Sequence, residues 1–132
     1  MSGDTVSGNA LQFTNDNKHV YAYSGVIGVS NSEKTMLLFN TNSEYLKVLS
    51  QPFNSTASND DLTWKIYFNN VIVYEEVMWN ISFNRISPRL VIPPFTTVKV
   101  TCENTTSATT RNACFLFSGE AYMTNRVGDL DE

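Results

Sequence analysis

Eight short stretches of alternating apolar and polar residues run from Val20 to Met123, and Asn, Ser, Thr, Asp and Pro separate them. A period of two places apolar side chains on one face of a β-strand and polar side chains on the other. No amphipathic helix of usable length and no strand–helix–strand pattern is present. The sequence therefore predicts an all-β sandwich and argues against an α/β enzyme fold.

The order of the predicted strands favours one particular sandwich. The strands cover residues 20–29, 34–40, 44–51, 62–68, 71–76, 83–92, 95–103 and 113–122. The first and last are long and similar in length, so they are expected to lie side by side. This arrangement predicts a single eight-stranded antiparallel jelly roll, in which strands one, eight, three and six form one sheet and strands two, seven, four and five the other. An immunoglobulin-type sandwich is the alternative, although its usual Cys, Trp, Cys spacing is absent.

Two local signals support this assignment. Asn69-Asn70 predicts a tight hairpin between the fourth and fifth strands, because Asn tolerates the positive φ that such a turn needs. Pro88 falls in the sixth strand, where a missing N–H donor predicts an edge position. The polar run 54–61 after Pro52 is expected to be a mobile surface loop.

The chain of 132 residues suits one domain with two flanking segments. The predicted division is an extended N-terminal arm over 1–18, a jelly-roll sandwich over 19–124 and an acidic C-terminal tail over 125–132. The arm is polar apart from Val6, Leu11 and Phe13 and carries two glycines. It is expected to be mobile in an isolated subunit, to order against the sheet edge of a neighbouring subunit or against another protein, and to make its contact through those three side chains.

Alternation in the fourth and seventh strands predicts the inter-sheet core. The core candidates are Leu62, Trp64, Ile66, Phe68, Val98 and Val100. The first residues are polar and encode no secretory signal, so Cys102 and Cys114 are expected to be free buried thiols. A bridge between them remains geometrically possible.

Charge and the length of apolar runs argue against two classes of partner. The net charge is −4, and the nine Lys and Arg residues are scattered singly along the chain. Proteins that bind nucleic acid gather basic side chains on one face, so no nucleic acid is expected as a partner. No apolar run reaches the roughly 18 to 20 residues of a membrane helix, so no membrane partner is expected either.

The residues that catalysis needs are missing or badly spaced. His19 is the single histidine, at the start of the first strand, and no Gly-rich phosphate loop is present. Glu75 and Glu76 point to opposite faces of a strand, and Asp60-Asp61 is expected to be a solvated loop pair. The sequence predicts a non-enzymatic protein with no catalytic residue, no metal site and no cofactor.

Aromatic residues at strand positions are the remaining functional candidates. Tyr67, Tyr74 and Trp79 are predicted to be exposed, and to serve a protein interface or a glycan site. Tyr21, Tyr23 and Tyr45 belong to the same class, and ordinary half-buried packing is the alternative for each.

Three stretches carry a resemblance that covers nearly the whole chain. They are residues 2–25, from Ser-Gly-Asp-Thr-Val to Tyr-Ala-Tyr-Ser-Gly, then Phe39-Asn-Thr-Asn-Ser-Glu-Tyr45 and Ile92-Pro-Pro-Phe-Thr-Thr-Val-Lys-Val100. The chain resembles small structural proteins encoded by marine double-stranded DNA viruses, chiefly tailed phages. These motifs are strand and turn signatures and include no catalytic residue.

The resemblance implies a virion component made in the host cytoplasm and located on the capsid surface. The expected role is a capsid decoration or cement protein that contacts the major capsid protein or another virion protein. It would oligomerise on the head shell, with a trimer expected from fold-level analogy. The alternative is a carbohydrate-binding or host-attachment module on the virion surface.

Overall fold

The computed structural model describes residues 3–4, 6–7, 12–16, 19–54, 60–78 and 88–123. Within these ranges the chain forms twelve β-strands. In chain order they are β1 (Gly3–Asp4), β2 (Val6–Ser7), β3 (Gln12–Asp16), β4 (His19–Tyr23), β5 (Ile27–Val29), β6 (Lys34–Asn40), β7 (Glu44–Asn54), β8 (Leu62–Phe68), β9 (Val71–Met78), β10 (Arg89–Ile92), β11 (Thr97–Asn104) and β12 (Arg111–Met123). In this described part of the chain, no helix has the length and apolar character needed to span a membrane.

The strands form two antiparallel sheets with the predicted jelly-roll wiring. Sheet A has the order β1-β3-β4-β12-β7-β10, with β5 also paired to β12, and sheet B has the order β2-β6-β11-β8-β9. The predicted sheet of strands one, eight, three and six corresponds to β4-β12-β7-β10 in sheet A. The predicted sheet of strands two, seven, four and five corresponds to β6-β11-β8-β9 in sheet B. The predicted all-β sandwich is therefore confirmed.

Strand number and strand limits differ from the prediction at identifiable points. The predicted first strand is two strands, because the chain breaks after β4 at Gly25, which has a φ of 75°. Both halves pair with the 13-residue β12, so nine strands stand in place of eight from residue 19 onward. The predicted seventh strand begins at Thr97, since Phe95 has a φ of 54° and lies in a turn.

Proline 52 lies inside a strand and not at its end. β7 continues to Asn54, and Pro52 is buried opposite Phe115 of β12. The main-chain N–H of Ser50 points toward β10, because it donates to the Pro88 carbonyl over 2.9 Å. Two residues further on, the nitrogen of Pro52 faces the same side, beyond the part of β7 that pairs with β10. Proline is tolerated where no ladder hydrogen bond is required of it.

The N-terminal segment pairs with the chain's own sheets. β3 runs antiparallel to β4 from Gln12 opposite Tyr23 to Asp16 opposite His19, β1 pairs with β3, and β2 pairs with β6. The expectation of an arm that orders only against another molecule is corrected here. Without β3, β4 would present a row of unpaired N–H and C=O groups, and the nearest segment of the chain satisfies them. The side chains of Val6 and Phe13, and all of Leu11, lie outside the described residues.

The hairpin and edge predictions hold. Asn69 and Asn70 have φ values of 51° and 69° and join β8 to β9, as the mirror-image hairpin turn requires. β10, which follows Pro88, is the last strand of sheet A on its side.

The space between the sheets is filled by apolar side chains from both. Leu62, Trp64, Ile66, Val98 and Val100 are buried there, while Phe68 is half-buried and packs against the same cluster. Two aromatic contacts join the sheets, Trp64–Phe115 at 5.5 Å and Phe39–Phe117 at 6.2 Å between ring centroids, and a third, Phe115–Phe117 at 4.8 Å, lies within β12.

The two cysteines are free and buried, and they belong to different sheets. Cys102 lies on β11 in the core, where burial raises the pKa of its thiol. Cys114 lies on β12 beside Tyr23, and burial raises its pKa as well. Ala113 and Phe115, the neighbours of Cys114 on β12, face the core, so the Cys114 side chain points to the opposite face of sheet A, away from Cys102, and no bridge forms between them.

Candidate binding surface

The aromatic residues singled out from the sequence do not form one patch. Tyr67 is half-buried on the outer face of sheet B, where its hydroxyl donates to Glu33 Oε2 over 2.5 Å and Lys99 Nζ lies 4.4 Å from the ring centroid. Tyr74 is also half-buried and packs against the core. Trp79 lies outside the described residues. The prediction that Tyr67 and Tyr74 are exposed is therefore corrected.

Hydrogen bonding explains why Tyr67 is held against the sheet. Glu33 Oε2 also accepts a hydrogen bond from Thr101 Oγ1 over 2.6 Å. Together the Thr101 and Tyr67 hydroxyls lower the pKa of Glu33, and the Glu33 carboxylate raises the pKa of Tyr67. This contact fastens the turn before β6 to the outer face of sheet B, so the residues have a structural role.

Five exposed aromatic and apolar side chains lie on the outer face of sheet A, spread along its strands from Tyr45 near one end of β7 to Phe53 near the other. We call this surface the tyrosine face and define it by Tyr21, Tyr45, Phe53, Val91 and Tyr122. These five side chains are between 38% and 53% exposed. They belong to the four neighbouring strands β4, β12, β7 and β10, whose inner faces supply half of the core. The sandwich thus buries one face of sheet A and leaves an aromatic surface on the other.

Strand register brings members of the tyrosine face into contact range. Tyr45 of β7 lies directly opposite Tyr122 of β12, and Lys47 lies opposite Glu120 on the same two strands. Directly opposed residues on one face of an antiparallel pair have Cβ atoms roughly 5 Å apart. Tyr45 and Tyr122 therefore form an adjacent pair of exposed rings.

Polar neighbours orient Tyr122. Its hydroxyl donates to Glu120 Oε1 over 3.0 Å, and Lys47 Nζ lies 5.5 Å from its ring centroid. The hydrogen bond to Glu120 raises the pKa of the tyrosine. Positively charged groups are attracted to the face of an aromatic ring. The Lys47 ammonium and the Glu120 carboxylate therefore both hold the Tyr122 ring in this position on the sheet.

Sequence reasoning missed three members of this surface. Tyr122 and Val91 sit at positions where alternation was visible, but the sequence does not say which face of a strand is covered by the second sheet. Phe53 was missed because Pro52 was taken as the end of its strand. A proline at a sheet edge does not have to end a strand, so the alternation continued past Pro52 would have indicated Phe53.

Two spaces among the described residues differ in size and in polarity. An apolar cavity of about 10 Å³ lies in the core beneath Val20, Phe39 and Phe117. An open polar cleft of about 340 Å³ lies at the C-terminal end of β11, beside Asn31, Glu103 and Thr105. In the described part of the chain, no group of three or more His, Cys, Asp or Glu side chains is placed to hold a metal ion.

The Asp60 carboxylate is not solvated, contrary to the sequence expectation. Only 7% of Asp60 is exposed, and its Oδ2 atom accepts hydrogen bonds from Arg111 Nε over 2.7 Å, Asn104 Nδ2 over 2.9 Å and Ser107 Oγ over 2.9 Å. These donors replace the water that the carboxylate would otherwise bind. The network joins the start of β8 to the turn between β11 and β12.

This network predicts a pH dependence of stability. The Arg111 hydrogen bond, followed by that from Asn104, lowers the pKa of Asp60 below its ordinary value of 3.8. The stabilisation is therefore present above that ordinary value and is lost as the pH falls through the lowered pKa of the folded state. Asp60→Asn should lower the thermal midpoint at neutral pH and reduce its dependence on pH between about pH 5 and pH 2.

The control is Asp61→Asn, which removes the neighbouring carboxylate outside this ion pair. Thermal melts followed by circular dichroism over the acid range provide the measurement. Equal acid sensitivity in wild type and Asp60→Asn would show that the Asp60 network does not contribute.

Comparison with known proteins adds no family or relative. No family model, no curated protein and no solved structure matches this chain. Function is therefore argued from the fold and from its surfaces.

Proposed function

We propose that this protein is a non-enzymatic virion structural protein, a capsid decoration or cement protein that oligomerises on the head shell. The jelly-roll wiring supports the proposal, because this fold recurs in viral capsid proteins. Fold alone does not define function, so the proposal depends on a surface suited to assembly.

The tyrosine face is the observation that carries the proposal. Singly exposed apolar residues are ordinary on protein surfaces. Here five of them lie on one sheet face, and two tyrosines are direct cross-strand neighbours. Tyr and Phe are enriched in protein interfaces, where their rings bury a large area with little loss of side-chain freedom.

Charge favours a second copy of this chain as the occupant of the tyrosine face. The whole chain has a net charge of −4, so random encounters between copies are repulsive. On the tyrosine face, by contrast, the acidic Glu120 is balanced by Lys47 on the neighbouring strand, and Arg89 adds a second positive charge. In a ring of three copies the tyrosine face of each copy meets a different surface of the next, so this weakly positive face would meet the negatively charged remainder of the neighbouring chain.

Self-association can be tested directly by size-exclusion chromatography with light scattering over a range of concentrations. Wild type is expected to form an oligomer, with a trimer as the first expectation. The double variant Tyr45→Ser, Tyr122→Ser should shift toward monomer, with a modest fall in thermal midpoint because the two side chains form a cross-strand pair and are 40% and 38% exposed.

The matched control is Val71→Ser, Val77→Ser, which removes two exposed apolar side chains from β9 of the other sheet. It should leave the oligomeric state unchanged. A wild-type chain that remains monomeric at high micromolar concentration would contradict association through the tyrosine face.

A carbohydrate-binding or host-attachment module is the second candidate. The adjacent rings of Tyr45 and Tyr122 favour it, because sugar rings stack on exposed aromatic side chains and Glu120 and Lys47 supply hydrogen-bonding groups beside them. A glycan array with wild type, Tyr122→Ala and Trp79→Ala tests this reading. Specific glycan binding that requires Tyr122 would favour attachment over decoration.

A further inference from the structure

Phe95 is presented to solvent in an unusual backbone conformation. It lies in the turn between β10 and β11, is 74% exposed and has a φ of 54°. Positive φ is uncommon outside glycine and asparagine, and for a bulky side chain it is a true outlier. The chain therefore accepts both backbone strain and an exposed aromatic ring at one position, and such a combination points to a functional constraint.

The turn that carries Phe95 is held rigidly by Thr41, a buried residue. The Thr41 hydroxyl donates to the Pro93 carbonyl over 2.8 Å and accepts from the Thr96 N–H over 2.8 Å. It therefore bridges the two ends of the turn 93–96. The Phe95 N–H also donates to the Asn42 carbonyl over 2.9 Å, and two prolines fix φ just before it.

A second turn lies beside the first at the same end of the sandwich. Asn69 donates its main-chain N–H to the Thr97 carbonyl over 2.8 Å, and the Thr97 N–H donates to Asn69 Oδ1 over 2.9 Å. This contact joins the β8–β9 hairpin turn to the start of β11, just after the turn that carries Phe95, and the exposed Val71 is the first residue of β9 after that hairpin turn. The three turns 41–43, 69–70 and 93–96 contain no charged residue. We call this end, defined by Phe95, Val71 and these turns, the Phe95 tip.

We propose that Phe95 is an anchor residue that inserts into an apolar pocket of a protein partner. The inference rests on the proposed function, which makes that partner the capsid shell protein. An aromatic side chain fixed in advance loses little conformational freedom on binding, and such residues dominate the energetics of interfaces. An uncharged polar rim around an apolar centre is the composition expected of a protein-binding patch.

Two alternative occupants fit the Phe95 tip less well. Loops that insert into membranes carry Lys or Arg to attract anionic headgroups, and the three turns have none. In a second copy of this chain, the apolar cavity beneath Val20, Phe39 and Phe117 has a volume of only about 10 Å³, which is too small to receive a phenyl ring.

The test compares binding of three proteins to empty capsids assembled from the major capsid protein encoded in the same genome. They are wild type, Phe95→Asn and the control Val26→Asn, which changes a residue that is 60% exposed between β4 and β5. Phe95→Asn is expected to weaken binding by about thirtyfold or more, the effect of losing an interface hot spot. Val26→Asn is expected to bind as wild type does.

Thermal melts of the same proteins separate loss of contact from loss of fold. Asparagine tolerates positive φ, so Phe95→Asn should raise the thermal midpoint by about 3 °C while it weakens binding. Phe95→Gly serves as a second variant with the same two expectations. A gain in stability combined with a loss of affinity is a result that a purely structural role would not produce.

The outcomes distinguish this inference from the proposed function. If wild type binds capsids and Phe95→Asn binds equally well, the anchor is overturned and the decoration role stands. If wild type does not bind capsids at all, both are overturned. Phe95-dependent binding of wild type to phosphatidylcholine–phosphatidylglycerol vesicles, without capsid binding, would replace the protein partner by a membrane.

Discussion

Gly119→Ala should prevent folding or lower the free energy of unfolding by more than about 4 kcal/mol. Gly119 of β12 lies opposite Val48 of β7, at the centre of sheet A. A Cβ atom on residue 119 would meet the Lys47 carbonyl oxygen at 1.9 Å and the Val48 Cα at 2.7 Å. Both contacts are to main-chain atoms, so the two strands would have to separate for the methyl group to fit.

Gly28→Ala is the matched control, because Gly28 also lies in a strand that pairs with β12. There the added Cβ would meet a side-chain atom, the Thr110 Cγ2 methyl, at 2.9 Å. Rotation of an exposed threonine relieves that contact, so the cost should stay near about 1 kcal/mol. Urea unfolding of both variants provides the measurement, and a Gly119→Ala protein as stable as wild type would contradict the packing of β7 on β12.

Trp64→Ala should lower the free energy of unfolding by about 3 to 5 kcal/mol, because it removes the largest fully buried side chain among the described residues. Trp64 is 1% exposed and its ring lies 5.5 Å from that of Phe115 on the opposite sheet. The substitution therefore removes apolar burial and leaves a cavity between the sheets. A loss below about 1 kcal/mol in urea melts would show that Trp64 does not occupy the core.

Trp64→Phe distinguishes the contribution of the buried aromatic ring from that of the indole N–H group. The indole Nε1 is buried and has no hydrogen-bond partner among the described residues. Phenylalanine removes that unpaired donor while it keeps an aromatic ring, so part of the cavity cost is offset. The expected cost is about 1 to 2 kcal/mol, and a loss equal to that of Trp64→Ala would contradict this account.

Local pattern was enough to predict the sandwich. Period-two alternation located the eight predicted strands, and Asn69-Asn70 and Pro88 marked a hairpin and an edge that agree with the observed wiring. Interactions between residues distant in sequence were not predictable in this way. Asp60 finds its partners 44 to 51 positions away, so its burial depends on how the ends of the sandwich meet.

The candidate surfaces show the same limit. Tyrosines at alternate positions were visible in the sequence, yet which of them are exposed depends on which face of each sheet packs against the other. Tyr74 was expected outside and packs on the core, whereas Tyr122 was not singled out and is exposed. The sequence predicts a strand at Phe95, because none of its neighbours in the sequence indicates a positive φ. Hydrogen bonds from Thr41, in another part of the chain, stabilise that conformation.

The decoration role is tested most directly by sedimentation of the wild-type chain with the empty capsids described above. The account predicts saturable binding at micromolar concentration, with a fixed number of copies per capsid that does not increase at higher protein concentration. A chain that stays in the supernatant at every concentration would contradict the proposed function.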